Sequence, residues 1–193
     1  MRVVGGEWRS RRLRGPGTIA LRPTSDRLRE SLFDILGPTI AGRGFVDAYA
    51  GTGAVGIEAF SRGARPVVWI EASPAAARLL RANLASLGAL DDPQALVLQQ
   101  PLPRALTALA ALAPLRAAGG AALLFLDPPY DDAAALEQCL RALERHPEAL
   151  APDARVLTEV RASTAVPQHV GRWVLARLHR QGDSQLAFFA GKD

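Results

Sequence analysis

The sequence feature that most constrains the fold is a short apolar stretch that runs directly into a glycine-rich turn. Residues 45–50 read Phe-Val-Asp-Ala-Tyr-Ala, and residues 51–56 read Gly-Thr-Gly-Ala-Val-Gly. Glycine permits a tight turn and lets a ligand approach the backbone closely. A strand, a glycine turn and a helix in this order predict the first unit of a doubly wound α/β fold, in which ligands bind at the carboxyl ends of the strands.

The rest of the chain repeats this alternation. A first helix is predicted from the capping residues 24–26 to the stop at Gly37-Pro38. Strands are then predicted at 45–50, 67–71, 95–99, 121–126 and 155–160, and helices at 54–62, 74–87, 103–112 and 136–145. Two last strands, 173–179 and 185–190, are joined at Gly182-Asp183, which indicates a hairpin. The pattern predicts a mostly parallel doubly wound sheet with an antiparallel C-terminal hairpin.

Composition excludes several other classes of protein. The chain has 193 residues, of which 49% are apolar, so it can form one globular domain and is not disordered. Apolar runs stay well short of the roughly 18–20 residues that span a membrane, and the N-terminus has no apolar signal region. The single cysteine, Cys139, excludes an internal disulfide and a cysteine-based metal cluster. We therefore expect a cytoplasmic protein that binds neither membrane nor metal. Separately, we expect it to be a monomer.

Positive charge is concentrated at the N-terminus. Residues 1–29 contain eight arginines and two acidic residues, a net charge of +6, whereas the rest of the chain carries 15 basic and 17 acidic residues. A cationic arm on a mildly acidic body favours a polyanionic partner such as nucleic acid, although a solvated tail would have the same composition. The candidate RNA contacts in this arm are Arg9, Arg11, Arg12, Arg22, Arg27 and Arg29.

Acidic residues flank the glycine turn. Glu71 ends the second predicted strand, twenty residues after Gly51, where an acid can accept both hydroxyls of a ribose. A dinucleotide fold is one interpretation of this spacing. However, Asp47 precedes the turn, and a carboxylate there repels a pyrophosphate but attracts the sulfonium and ammonium of S-adenosylmethionine. The charge pattern favours the methyl donor over NAD, and a structural cap for loop amides is the alternative role for Asp47.

The fourth predicted strand leads into Asp127-Pro128-Pro129-Tyr130. Proline fixes the backbone and removes an N–H donor, so the carbonyls before the two prolines stay available as acceptors. The carboxylate of Asp127 adds a further acceptor, and Tyr130 offers a flat ring. Together they suit a planar base whose exocyclic amine donates two hydrogen bonds while the ring stacks on Tyr130. This turn predicts the site that receives the target amine; the alternative is a rigid turn with Tyr130 covering the core.

With these motifs the chain resembles the RsmD-type 16S rRNA (guanine-N2)-methyltransferases. The similarity extends over nearly the whole sequence. The matching segments are Val4-Gly5-Gly6 with Arg9–Leu13, Leu21–Thr24 with Asp26–Glu30, Asp47–Gly56 with Glu58-Ala59, Glu71, Asp127–Tyr130, Glu159, and Gly182–Ser184.

The resemblance implies a class I S-adenosylmethionine-dependent methyltransferase (Rossmann-like) fold. It divides the chain into a basic N-terminal arm and helix, residues 1–36, that contacts RNA, and a methyltransferase domain, residues 37–193. It assigns receipt of the target amine to the catalytic candidates Asp127, Pro128, Pro129 and Tyr130, and cofactor binding to Asp47, Gly51, Gly53 and Glu71. Ala50, Ala72 and Gln100 are further candidates for cofactor binding. The implied substrate is a guanine of 16S rRNA in the small ribosomal subunit or an assembly intermediate.

Three positions depart from the family pattern. Ser10 stands where a glycine is usual, Ser73 stands where an acid is frequent, and Pro101 stands where a polar residue near the adenine is usual. The adenine contact therefore passes to Gln99 or Gln100.

Three rival functions remain, two of them enzymatic. Adenine-N6 DNA methyltransferases and glutamine-N5 protein methyltransferases share the proline turn, but they usually begin it with asparagine and carry an added recognition domain. A non-catalytic RNA-binding factor in ribosome assembly, with a decayed cofactor site, is a rival from another class, and Pro101 favours it slightly. The intact glycine turn, Glu71 and the Asp127 turn favour an enzyme.

Overall fold

The computed structural model describes residues 1–19, 24–128 and 133–192, and all elements named here lie within them. They form an eight-stranded sheet with the strand order β3-β2-β1-β4-β5-β8-β7-β6. The strands are β1 Phe45–Asp47, β2 Val67–Ile70, β3 Ala95–Leu98, β4 Ala121–Leu126, β5 Leu150–Arg161, β6 His169–Val170, β7 Trp173–Gln181 and β8 Ser184–Gly191.

Six α-helices connect or precede these strands. They are α1 Asp26–Leu36, α2 Ala54–Ser61, α3 Pro74–Leu87, α4 Leu102–Ala111, α5 Ala113–Ala117 and α6 Ala133–Glu144, with short 3₁₀ turns at Gly37–Ile40 and Pro147–Ala149. The ends of α3 show how the sequence sets such boundaries. Ser73 caps its first turn through Ala76 N–H, Pro74 takes the first helical position, and Gly88 ends it with a φ of 77°.

Strand pairing confirms the predicted fold class. Strands β1 to β5 pair in parallel, and β5, β8, β7 and β6 pair antiparallel, so the C-terminal hairpin closes one edge of the sheet. The order reverses at β1, which lies between β2 and β4 although β3 comes between them in sequence. The predicted strands and helices are found within a few residues of their expected bounds, whereas α5 and β6 were not predicted.

A separate apolar cluster covers each face of the sheet. We call the face covered by α1, α2 and α3 the α1 face, and the face covered by α4, α5 and α6 the α6 face. The α1-face cluster also contains Val3, Trp8 and Leu13 from the N-terminus. Its packing therefore continues across the domain boundary predicted at residue 36.

Residues 1–14, hereafter the N-terminal loop, fold back on themselves and pack against α2 and α3. Arg2 and Arg12 form an antiparallel bridge, and the Ser10 N–H donates to the Val3 carbonyl at 2.9 Å. The indole of Trp8 stacks on Phe60 with ring centroids 5.3 Å apart. The predicted cationic arm is therefore anchored to the domain by apolar side chains.

Backbone geometry shows why glycine is usual in the family at position 10, where this chain has serine. Ser10 has a φ of 70°, the positive value that glycine adopts without steric strain. The turn thus favours the glycine that the family usually carries there.

Among the described residues, none of the helices is long and apolar enough to cross a bilayer.

Candidate active site at the carboxyl edge of the sheet

The glycine turn after β1 has the geometry expected for a ligand-binding loop. Gly51 and Gly53 both have positive φ angles, 53° and 82°, and the Gly53 N–H donates to the Ala50 carbonyl at 2.7 Å. A side-chain carbon on Gly53 would lie 2.2 Å from Leu80 Cδ1, so α3 packs directly on the loop. On β2, the buried indole N–H of Trp69 donates to the Gly53 carbonyl at 3.2 Å. The loop is thus fixed by β2 and α3.

Asp47 lies beneath this loop. Its carboxylate is 2% exposed, and its Oδ2 accepts a hydrogen bond from the Gly56 N–H at 2.8 Å. Burial raises the pKa of Asp47 to about 7 against the opposing effect of that hydrogen bond, and the neighbouring Glu71 adds to the rise. This geometry matches the alternative that the sequence left open, a cap for loop amides. The charge argument for a cationic ligand therefore depends mainly on Glu71.

Glu71 follows β2 and closes the side of the loop. Its Oε2 accepts from the Gly51 N–H at 2.8 Å, and its Oε1 accepts from the Ser73 N–H at 2.7 Å. The side chain is half-buried, so the carboxylate is fixed beside Gly51 and still reaches solvent. The spacing of twenty residues thus places Glu71 beside the glycine loop, and its contact with a ribose stays a prediction.

The other candidate cofactor residues lie along the same edge. Ala50 is buried and Ala72 is exposed, and both follow strand ends. Gln100 is half-buried just before α4, whereas Pro101 is exposed at the start of that helix. The side chain of Gln99 accepts a hydrogen bond from Arg81 at the surface, 3.0 Å away. Of the two glutamines considered for the adenine contact, Gln100 is therefore the better placed.

Asp127 stands at the end of β4, beside the glycine loop. Asp47 pairs with Phe125 in the parallel register, and Asp127 lies two residues further along, so the alternation of the strand assigns both carboxylates to the α1 face. Asp127 and Pro128 are half-buried. Pro129 and Tyr130 lie outside the described residues.

A further carboxylate stands next to Asp127 in the sheet. Leu126 pairs with Thr158, which puts Glu159 in register with Asp127 on the neighbouring strand. Glu159 is 7% exposed, and its Oε1 accepts from the Ser184 hydroxyl at 2.9 Å. The resemblance included both residues, and the fold brings Glu159 to the edge of the sheet that holds Asp127.

The six arginines predicted to contact RNA do not share one environment. Arg9, Arg11, Arg12 and Arg27 are exposed, and the guanidinium of Arg11 donates to the Ser86 carbonyl of α3 at 2.7 Å. Arg22 lies outside the described residues. The prediction for Arg29 is wrong because its side chain is fully buried.

Arg29 instead belongs to a buried ionic cluster. Its guanidinium lies 2.5 Å from Asp26 Oδ1 and 3.8 Å from Glu58 Oε2, and Glu58 also pairs with Arg62 at 2.8 Å. Glu58 is fully buried and accepts the Val4 N–H at 2.8 Å. A buried charge requires a partner, which accounts for this position of Arg29. The spacing indicates it too, because Arg29 lies one turn before Phe33 on the apolar stripe of α1.

Asn83 is a buried polar residue next to the glycine loop that was not predicted from the sequence. It is fully buried on α3, among Leu80, Leu84 and Leu87. It forms hydrogen bonds with Thr52 of the glycine loop and with Arg14 of the N-terminal loop. An asparagine within an apolar helical stripe was the signal that could have identified it.

Comparison with known proteins decides the family. The family model described as Conserved hypothetical protein 95 matches residues 1–190. Ribosomal RNA small subunit methyltransferase D of Escherichia coli K12 is 35% identical over 183 residues, which cover 92% of this chain and 83% of that protein. The chain belongs to the RsmD family. Membership confirms the resemblance inferred from the motifs.

Solved structures agree with the RsmD-family assignment. The yhhF protein of Escherichia coli superimposes with a TM-score of 0.77 at 32% identity, covering 100% of this chain and 98% of its own. An RNA methyltransferase from Salinibacter ruber in complex with S-adenosyl-L-homocysteine has a TM-score of 0.65 at 20% identity, covering 89% and 95% of the two chains. The second likeness shows the fold alone. The class I methyltransferase fold expected for the family is confirmed.

Proposed function

We propose that this protein transfers a methyl group from S-adenosylmethionine to the exocyclic N2 amine of a guanine in 16S ribosomal RNA. The observation that carries the proposal is the meeting of the glycine loop and Asp127 at one edge of the sheet, on neighbouring strands. The name of the Escherichia coli relative supports small-subunit rRNA as the substrate. The Asp127 turn supports an amine as the methyl acceptor.

The residues at this edge fit S-adenosylmethionine. Glu71 offers a fixed carboxylate beside Gly51, and each of its oxygens retains a lone pair after accepting one backbone N–H. It would hold the ribose hydroxyls, while Gly51 and Gly53 would allow the amino-acid part to approach the backbone, and Ala72 and Gln100 would flank the base. When bound, the cofactor supplies an electrophilic methyl group. Asp47 would support the loop from below through Gly56.

Asp127 has the central role in the reaction proposed here. Its carboxylate would accept one hydrogen of the guanine amine, and its backbone carbonyl, which precedes Pro128, would accept the other. Two acceptors that fix the amine hydrogens favour a lone pair directed out of the ring plane. The carboxylate would also stabilise the positive charge that develops on the amine nitrogen as it takes the methyl group from the sulfonium. The nitrogen would then release one proton to become the neutral methylated amine. In this mechanism Tyr130 would stack on the base, the role that the sequence predicts for it.

RNA binding would depend on the exposed arginines of the arm. Arg9, Arg11 and Arg12 project from the N-terminal loop, and Arg27 projects from α1. Each contact with a phosphate releases counterions and adds affinity without sequence preference. This affinity offsets the few kcal/mol needed to take a guanine out of its stack. We expect a monomer that acts on the small subunit or its assembly intermediate.

Two measurements test the function. Calorimetry should detect binding of S-adenosylmethionine and much weaker binding of NAD; tighter binding of NAD would overturn the cofactor assignment. Tritiated methyl transfer to purified small subunits that lack the modification, followed by nucleoside analysis, should yield N2-methylguanosine. A methylated adenosine would favour the adenine-N6 alternative. Cofactor-independent RNA binding without methyl transfer would favour the assembly factor.

A further inference from the structure

Two buried polar side chains connect the N-terminal loop to the glycine loop. The first is Asn83 on α3. Its Oδ1 accepts the Arg14 N–H at 2.8 Å, and its Nδ2 donates to the Arg14 carbonyl at 3.2 Å and to the Thr52 carbonyl at 2.9 Å. One amide group thus holds both loops.

The second connection is Arg29 on α1. Its Nη2 donates to the Arg2 carbonyl at 2.8 Å, and its Nη1 lies 3.5 Å from the Ala54 carbonyl. The two connections therefore start near opposite ends of the N-terminal loop, at Arg2 and Arg14. They reach the two residues on either side of Gly53.

These contacts fix the orientation of the loop amides. The Thr52 carbonyl belongs to the same peptide unit as the Gly53 N–H, so holding one holds the other. Asn83 and Arg29 are both fully buried, where hydrogen bonds are strong and an unpaired group costs about 1–3 kcal/mol. A reorientation of the glycine loop would therefore break hydrogen bonds to side chains that also hold the N-terminal loop.

We propose that Asn83 and Arg29 are positioning residues that couple RNA binding on the arm to cofactor binding on the glycine loop. This inference rests on the proposed function, which gives RNA to the arm and the cofactor to Gly51 and Gly53. RNA bound to the exposed arginines restrains the N-terminal loop, and the two buried side chains transmit the restraint to the peptide units around Gly53. Coupling between two binding sites is reciprocal, so the cofactor strengthens RNA binding by the same factor.

The test measures the affinity of S-adenosylhomocysteine by calorimetry, at fixed salt, with and without saturating 16S rRNA transcript. In the wild type, RNA should tighten binding at least about fivefold, the lower end of typical allosteric coupling. In Asn83→Asp the ratio should fall below about twofold, since aspartate can still accept the Arg14 N–H but cannot donate to Thr52. Ser86→Ala is the matched control, because Ser86 lies on the same helix and its hydroxyl donates to the backbone carbonyl of Asn83, not to its side chain. It should keep the wild-type ratio.

A second measurement needs no variant and guards against misfolding of Asn83→Asp. Hydrogen exchange of a peptide covering residues 50–56 in the wild type should slow when 16S rRNA transcript binds. Independent binding of the two ligands, unchanged exchange in that peptide, or a full coupling ratio in folded Asn83→Asp would each overturn the inference. None of these results affects the proposed function, which instead fails if the wild type binds no S-adenosylhomocysteine or no RNA.

Discussion

The two faces of the sheet are built from different kinds of side chain. The α1 face buries the charged residues Arg29, Asp47, Glu58 and Glu159 together with Asn83, whereas the buried polar residues that strand alternation assigns to the α6 face, Thr158 and Gln185, are uncharged. Among the described residues, packing on the α6 face therefore buries no charged side chain. Burial on the α1 face stabilises the fold less, since each buried polar group must be desolvated and paired. The polar groups that it holds lie around the candidate site.

The largest effect should come from the edge where the α1 face meets the site. We expect Asp127→Ala to lower turnover by about 10²–10⁴-fold, because it removes an acceptor for the amine and a stabiliser of developing charge. Affinity for S-adenosylmethionine should stay within about twofold, since Asp127 is assigned to the amine. Methyl-transfer kinetics and calorimetry measure the two quantities. Normal turnover would refute the role, and a defect confined to cofactor binding would move Asp127 to the cofactor site.

Buried charge on the α1 face gives the next largest effect. Arg29→Met should lower the free energy of unfolding by about 3–5 kcal/mol, because it leaves Glu58 buried with one partner fewer. Urea unfolding measures the loss. Arg27→Met, two residues away on the exposed side of α1, should change it by less than about 0.5 kcal/mol.

A substitution on the α6 face separates stability from cofactor binding. Leu140→Ala, at a fully buried position, should cost a similar 2–5 kcal/mol through the cavity it leaves. Leu140→Ala should not change cofactor affinity. Arg29→Met should weaken cofactor affinity, because it removes the contact between Arg29 and the Ala54 carbonyl next to Gly53. Equal effects of the two variants on cofactor affinity would remove the functional distinction between the faces.

Asp47 makes the stability of the α1 face depend on pH. Its pKa rises from an ordinary carboxyl value to about 7 on folding, so the folded state binds more protons than the unfolded state between those values. Stability is then greatest at low pH and falls as the pH rises toward 7. Asp47→Asn should remove this trend and gain roughly 2–3 kcal/mol relative to the wild type between pH 5 and pH 8. Urea unfolding at the two pH values decides it, and parallel pH profiles would contradict the burial of an ionisable Asp47.

The next effect concerns the exposed arginines of the arm, which should contribute directly to RNA binding. Changing Arg9, Arg11 and Arg12 together to alanine should flatten the dependence of log affinity on log salt by up to ~2–3 units, if each contacts one phosphate. Cofactor affinity without RNA should not change, because these side chains take no part in the Asn83 or Arg29 contacts. The matched control on the α6 face changes the exposed Arg104, Arg116 and Arg145. Equal slopes for the two triple variants would mean that RNA does not distinguish the faces.

The smallest effect concerns the backbone of the N-terminal loop. Ser10→Gly should stabilise the protein by about 0.5–1 kcal/mol, because glycine adopts the φ of 70° without strain. Thermal unfolding measures this gain. A loss of stability would mean that the turn does not strain serine.

Local pattern was sufficient for the framework and for part of the site. The alternation of apolar stretches, glycines and caps predicted β1 to β5 and the hairpin, because these signals lie within a few residues of one another. The position of Glu71 near the glycine loop was predictable because a parallel unit has a nearly fixed length, whereas its hydrogen bond to the Gly51 N–H was not predicted. The role of Asn83 was not, since it depends on two loops that meet only after folding. The net charge of the arm led to the same prediction, RNA contact, for Arg27 and Arg29. Their positions on α1 differ by about half a turn, so one side chain is exposed and the other is buried.

The contact between Trp69 and Gly53 gives the loop an optical signal. The indole N–H of Trp69 donates to a carbonyl of the cofactor loop, whereas Trp8 stacks on Phe60 and the indole of Trp173 donates to the Leu140 carbonyl on the opposite face. Indole emission responds to the field around the ring, so a movement of the Gly53 carbonyl changes the emission of one tryptophan out of three. The fluorescence of the unlabelled protein can therefore follow the state of its glycine loop in real time.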